Sequence, residues 1–118
     1  VTDRDSIKTD SISVQRAFNT TGTLTTDQPS ILSVSPGPGT VSFTSRNNDA
    51  STADVTSFIV RSSDSAVVFS DTLSLGTSGT KGYSLSGFQQ GILHTIKCRA
   101  QASGEFVSTP DVTATFTP

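Results

Sequence analysis

Tryptophan and methionine are absent from this 118-residue chain, and cysteine, histidine, glutamate and tyrosine occur once each. Each scarcity excludes something. With Cys98 alone, no intramolecular disulfide can form, so the fold must rest on packing and strand pairing. With His94 alone, no pair of histidines can share a metal, and no Asp or Glu lies within four residues of it in sequence. With Glu105 as the only glutamate, the aspartates of residues 3–10 and the pair Asp49 and Asp54 have no calcium-loop spacing and no closing Glu. One histidine and no Gly-x-Ser-x-Gly leave no nucleophilic triad to assemble. The missing Met at position 1 fits a processed chain or a piece of a longer protein.

Charge is also sparse. Charged residues make up 15% of the chain and the net charge is −2, with the eight Lys and Arg scattered rather than gathered on a stripe. A nucleic-acid partner is therefore not expected. No apolar run approaches the ~18 residues of a membrane span, so no membrane partner is expected either. A signal-peptide pattern is also missing.

Serine and threonine fill the gap, in clusters such as TTGTLTT and LSLGTSGT. Threonine favours strands, and serine and glycine favour turns. The length suits one domain with a modest core. Residues 1–30 read as an extended N-terminal arm or linker: VTDRDSIKTDS is polar and charged, and only Ile12, Val14 and Phe18 suggest a short strand. An Asn19-Thr20-Thr21 glycosylation sequon lies in the same arm.

From residue 31 onward, short alternating runs recur between turn signals. Strands are predicted at Pro29–Val34, Val41–Ser45, Val55–Arg61, Ala66–Leu75 (as two pieces around Asp71), Tyr83–Leu85, His94–Ala102 and Val112–Phe116. Pro36-Gly37-Pro38-Gly39 and Arg46–Asp54 read as loops. No window carries helical apolar spacing of useful length. The expected fold is all-β, a seven-stranded antiparallel immunoglobulin-like β-sandwich over residues 31–118.

The stretch YSLSGFQQGILHTIKCRA carries a specific resemblance. Tyr83, Leu85 and Phe88, then Gln90-Gly91-Ile92, then His94, Ile96, Cys98 and Ala100 are similar to the fifth strand, corner and sixth strand of fibronectin type III domains. The closing TATFTP, the proline-led entry from Pro36 to Phe43, and Phe58-x-Val60 on the third strand resemble that family too. The likeness covers roughly the last 80 residues. It departs where the family's second-strand tryptophan is replaced by Phe43, and where its corner tyrosine is replaced by His94.

The resemblance implies a scaffold that is seldom catalytic, used in adhesion proteins, receptors, secreted bacterial enzymes and bacteriophage virions. His94 is then expected to be a structural corner residue with its ring bonded to backbone. Cys98, in phase with Ile96 and Ala100, is expected in the core as an inert thiol. No catalytic, cofactor or metal residues are expected. Phe18 in the arm, Asn47 and Asn48 in one loop, and Glu105 and Phe106 in another are the candidate interaction residues. The expected function is a non-catalytic structural or interaction module on a larger assembly, at a virion surface or otherwise extracellular. The leading form is a bacteriophage capsid-decoration or tail-associated protein. Its partners are other protein subunits, or copies of itself joined through the arm. The alternatives are a spacer or carbohydrate-binding domain of a secreted bacterial enzyme, or a cell-surface adhesion module.

Overall fold

A computed structural model describes residues 26–118. Seven strands run in order: β1 Ser30–Gly37, β2 Thr40–Arg46, β3 Ala53–Arg61, β4 Ala66–Leu75, β5 Thr80–Ser86, β6 His94–Ala102 and β7 Val112–Phe116. They form two antiparallel sheets, a three-stranded one ordered β1-β2-β5 and a four-stranded one ordered β4-β3-β6-β7. No helix occurs among the described residues.

Period-two patterning explains why these segments are strands. In β2, β3 and β6 every second residue is buried, and those residues face the opposing sheet. Val41, Phe43, Ile59, Tyr83, Ile96 and Phe116 form the main core cluster, and Ala53, Val55, Leu75, Cys98, Ala100 and Ala102 form a second. Phe43 stacks on Tyr83 at 5.0 Å between ring centroids. Its neighbour in sequence logic, Phe58, is turned the other way: Ile59 is the buried residue of that stretch, and Phe58 sits under the Arg99 guanidinium on the outer face.

A polar seam crosses the interior. Ser45 on β2 and Ser57 on β3 share a hydrogen bond of 2.7 Å between the two sheets, and the Cys98 thiol on β6 lies 3.6 Å from Ser57 Oγ. Burial is the main cause holding the Cys98 thiol above its ordinary pKa. The Tyr83 hydroxyl donates to Asp71 Oδ2 at 2.7 Å, and burial together with that carboxylate keeps it protonated well above the usual tyrosine range.

Three sequence expectations change. β1 continues through Pro36 and Gly37, so the reversal is confined to Pro38 and Gly39. Gly39 takes φ +65°, as a proline-led turn requires at that place, and an added Cβ would meet Phe88 O at 3.3 Å. β4 is one unbroken strand rather than two pieces, because the Asp71 carboxylate turns inward onto Tyr83 and does not need a loop to solvate it. Ala53 and Asp54, expected at the end of a loop, are instead the first two residues of β3.

Candidate interaction site

The strands leave two poles, and one of them gathers most of the expected residues. The β2–β3 loop, the β4–β5 turn, the β6–β7 loop and the entering chain at Thr26 all meet there. The opposite pole carries the β5–β6 corner, with Gly91 N donating to Pro118 O at 2.9 Å.

Asn47 builds the first pole from inside. Its side-chain amide donates to Ser51 O at 2.9 Å, Leu75 O at 2.9 Å and Gly76 O at 3.1 Å. Its Oδ1 accepts from Asp49 N at 2.9 Å. The expectation of Asn47 as a surface contact is corrected: it is fully buried and staples the β2–β3 loop to the β4–β5 turn. Asn47→Ala should cost about 3 kcal/mol, because it strands buried carbonyls as well as losing the bonds themselves. Urea unfolding reads this, and a loss below about 1 kcal/mol would contradict the staple.

The entering chain is fastened to the same pole. Asp49, also buried, accepts Asp27 N on Oδ1 at 2.8 Å and the Ser51 backbone and hydroxyl on Oδ2. Asn48 is exposed, but its amide donates to Gln28 O at 3.0 Å and Ser30 Oγ at 2.7 Å. Glu105 is half-buried, and its Oε1 accepts from Thr26 Oγ1 at 3.0 Å. That same hydroxyl accepts from Ala102 N at 3.2 Å. Asn48 and Glu105 therefore hold the root of the N-terminal segment. Phe18, the other candidate, lies outside the described residues, as do the first three aspartates and the sequon.

Phe106 is different. It is 97% exposed and its neighbour Val107 is 70% exposed. The loop that carries them is pinned at both flanks. Glu105 N donates to Ala102 O at 3.1 Å, Gln101 Nε2 donates to Glu105 O at 2.9 Å, and Thr109 exchanges bonds with the Ala100 backbone at 2.8 and 3.1 Å. The apolar pair is thus held out from a braced base. Beside it lies a shallow polar hollow lined by residues such as Asp54, Ser74 and Gln101.

At the far pole, His94 is 1% exposed. Its Nδ1 donates to Ile92 O at 2.7 Å, its ring stacks on Phe116 at 5.2 Å, and Phe88 meets it edge-on at 5.4 Å. The imidazole is thus bonded to the carbonyl two residues back, and the ring sits between the Phe88 and Phe116 rings. Nearby, Arg61 holds the Asp64 carboxyl down to about 2, chiefly through their side-chain hydrogen bond.

Sequence reasoning missed the entry clamp of Thr26, Asp27 and Asp49. The polarity of NNDAS signalled a loop, and nothing local distinguishes a solvated loop from one bonded to distant backbone. No protein-family model matches the sequence, and no curated protein matches it.

Proposed function

We propose that this chain is a non-catalytic interaction module that docks on a larger protein assembly through the pole described above. The observation that carries the reading is the coincidence there of two features: the root of the residue 1–30 arm, and the braced loop presenting Phe106 and Val107. Exposed aromatics are enriched in protein–protein interfaces, and an apolar pair held out on a rigid base loses little entropy on docking. The arm then adds as a strand or wraps a neighbouring subunit, and the opposite pole projects outward.

The specific form we favour is a bacteriophage virion accessory protein, a capsid decoration or tail-associated subunit, on a divergent fibronectin type III scaffold. Support for the scaffold comes from the crossing of strands between a β1-β2-β5 sheet and a β4-β3-β6-β7 sheet. Support for a surface location comes from the hydroxyl-rich, weakly charged exterior. The reading assigns no enzyme activity, no cofactor, no nucleic acid and no membrane.

A second reading has one observation in its favour. The entering chain at Thr26 and the end at Pro118 sit at opposite poles, as a module threaded in a tandem array requires. That geometry suits an adhesion module or a spacer of a secreted bacterial enzyme. Carbohydrate binding is less favoured, because the lone Tyr83 is buried rather than displayed.

The partner to test is the particle or subunit encoded beside the parent reading frame. Phe106→Ser should weaken co-sedimentation with it at least about tenfold while leaving the melting temperature within about 2 °C, since the ring touches no core. Unchanged binding by this variant and by a chain lacking residues 1–25 would overturn the docking pole.

A further inference from the structure

The far pole holds a feature that packing alone leaves unexplained. Where the end of β3 and the start of β4 face the β5–β6 corner, a hollow of about 110 Å³ opens to solvent. Its lining grades from wet to dry. Arg61, Ser86 and Gln89 stand at the mouth, and Phe69, Leu85 and Phe88 form half-buried apolar walls. His94, 1% exposed, closes the inner end.

The imidazole at that inner end is only half satisfied. A carbonyl oxygen only accepts, so the bond to Ile92 O fixes the proton of the neutral ring on Nδ1 and leaves Nε2 a bare acceptor. Nε2 is buried and bonds no donor among the described residues. It points away from Ile92, because the two ring nitrogens project to opposite sides of the imidazole. Arg61, the strongest donor in the lining, is committed elsewhere: its Nε and Nη2 donate to Asp64 at 3.0 and 2.7 Å. Ser86 and Gln89 are exposed at the rim. A buried acceptor left in this way costs the desolvation of its lone pair, and a ligand that donates to it recovers that cost.

We infer that the hollow binds a phenolic ring, its hydroxyl donating to His94 Nε2 and its ring packed against Phe69, Leu85 and Phe88. The lining selects that class. The inner end needs a donor, and the walls need an apolar body. No carboxylate lines the hollow, so an ammonium donor would lose its hydration without gaining a counter-charge. Volume limits the body to one six-membered ring. A closed apolar cavity of about 150 Å³ takes benzene, and this smaller hollow, open at its mouth, takes a ring whose far edge stays in the mouth. Phe88 is the cover. It is half-buried and meets the imidazole edge-on at 5.4 Å, and its backbone N is fixed to Gly39 O at 3.1 Å. Its side chain, rather than its loop, turns outward to admit the hydroxyl. The hollow lies at the pole opposite Phe106, so the inference does not rest on the docking reading. The ring arrives as a free small molecule or as a tyrosine side chain of a partner protein.

Nitrogen and proton NMR of the full chain gives the test, with phenol, toluene and N-acetyltyrosinamide as probes. Phenol should move the His94 Nε2 resonance and the amides of Phe69, Leu85 and Phe88. Toluene has the ring without the donor and should bind at least about tenfold more weakly. His94→Phe should bring phenol and toluene within about twofold of one another. Should that variant fail to fold, the Nε2 resonance of the unaltered chain decides. Tighter binding of N-acetyltyrosinamide than of phenol assigns the ring to a partner protein, and weaker binding assigns it to a free molecule. Equal affinities of phenol and toluene for the unaltered chain overturn the proposal. So does an Nε2 resonance unmoved by about 10 mM phenol, or a free protein whose ring proton sits on Nε2.

Discussion

Phe43→Ala should cost about 4 kcal/mol, enough to leave a large unfolded fraction in a domain of this size. The side chain is 2% exposed and sits among Val41, Ile59, Ile96 and Phe116 at the centre of the larger cluster. Truncation removes the transfer free energy of the ring and leaves a cavity that two hydrogen-bonded sheets cannot collapse to fill. It also removes the stacking partner of Tyr83, whose hydroxyl is committed to Asp71 and so cannot swing into the gap. Urea denaturation gives the number: the midpoint should fall with the slope unchanged. A loss below about 1.5 kcal/mol would mean that Phe43 is not the central packing residue.

Ser45→Cys should act in the opposite direction. Ser45 and Cys98 sit on facing sheets on either side of Ser57, close enough that the Ser45 hydroxyl helps lower the Cys98 thiol pKa against the larger effect of burial. Immunoglobulin domains place their inter-sheet disulfide between the second and sixth strands, and these residues are on β2 and β6. Closing a loop of about 50 residues stabilises by about 4 kcal/mol in the chain-entropy account. Loss of the buried Ser45–Ser57 hydrogen bond offsets about 1 kcal/mol of that. A net gain of about 3 kcal/mol should raise the melting temperature by more than about 10 °C, reversibly with reductant. Oxidation will need mild base or a catalyst, because burial disfavours the thiolate of Cys98. Two free thiols titrated after unfolding of the oxidised sample would show that the bond does not form.

The fold was legible where burial follows a local period. β6 alternates cleanly, so Cys98 could be placed in the core in phase with Ile96 and Ala100, whereas the apolar run Phe58-Ile59-Val60 left the inner face of β3 open, and Ile59 is the buried residue. Legibility failed where a polar side chain is satisfied by something distant in the chain. Asp71 looked like a break in β4, but its partner is a tyrosine on β5. Asn47 looked like surface, but its acceptors, Leu75 O and Gly76 O, are 28 and 29 residues away. Local polarity records that a group needs partners and does not record whether those partners are water. Phe106 shows the converse. A lone aromatic in a Ser-Gly-Glu context is compatible with packing or with display, and the loop bonds made by Gln101, Ala102 and Thr109 leave it 97% exposed.

The clamp at Thr26 and Asp27 has a mechanical meaning. The arm leads covalently into β1, an edge strand that tension at the N-terminal end would peel away one hydrogen bond at a time. The bonds to Ala102, Glu105 and Asp49 lie ahead of β1 along the chain. A pull on the arm therefore reaches β6 and the buried β2–β3 loop first. β6 is bracketed by β3 and β7, so the load spreads in shear across a sheet rather than unzipping a margin. A tether built this way can be tugged by whatever it holds while the first strand stays seated.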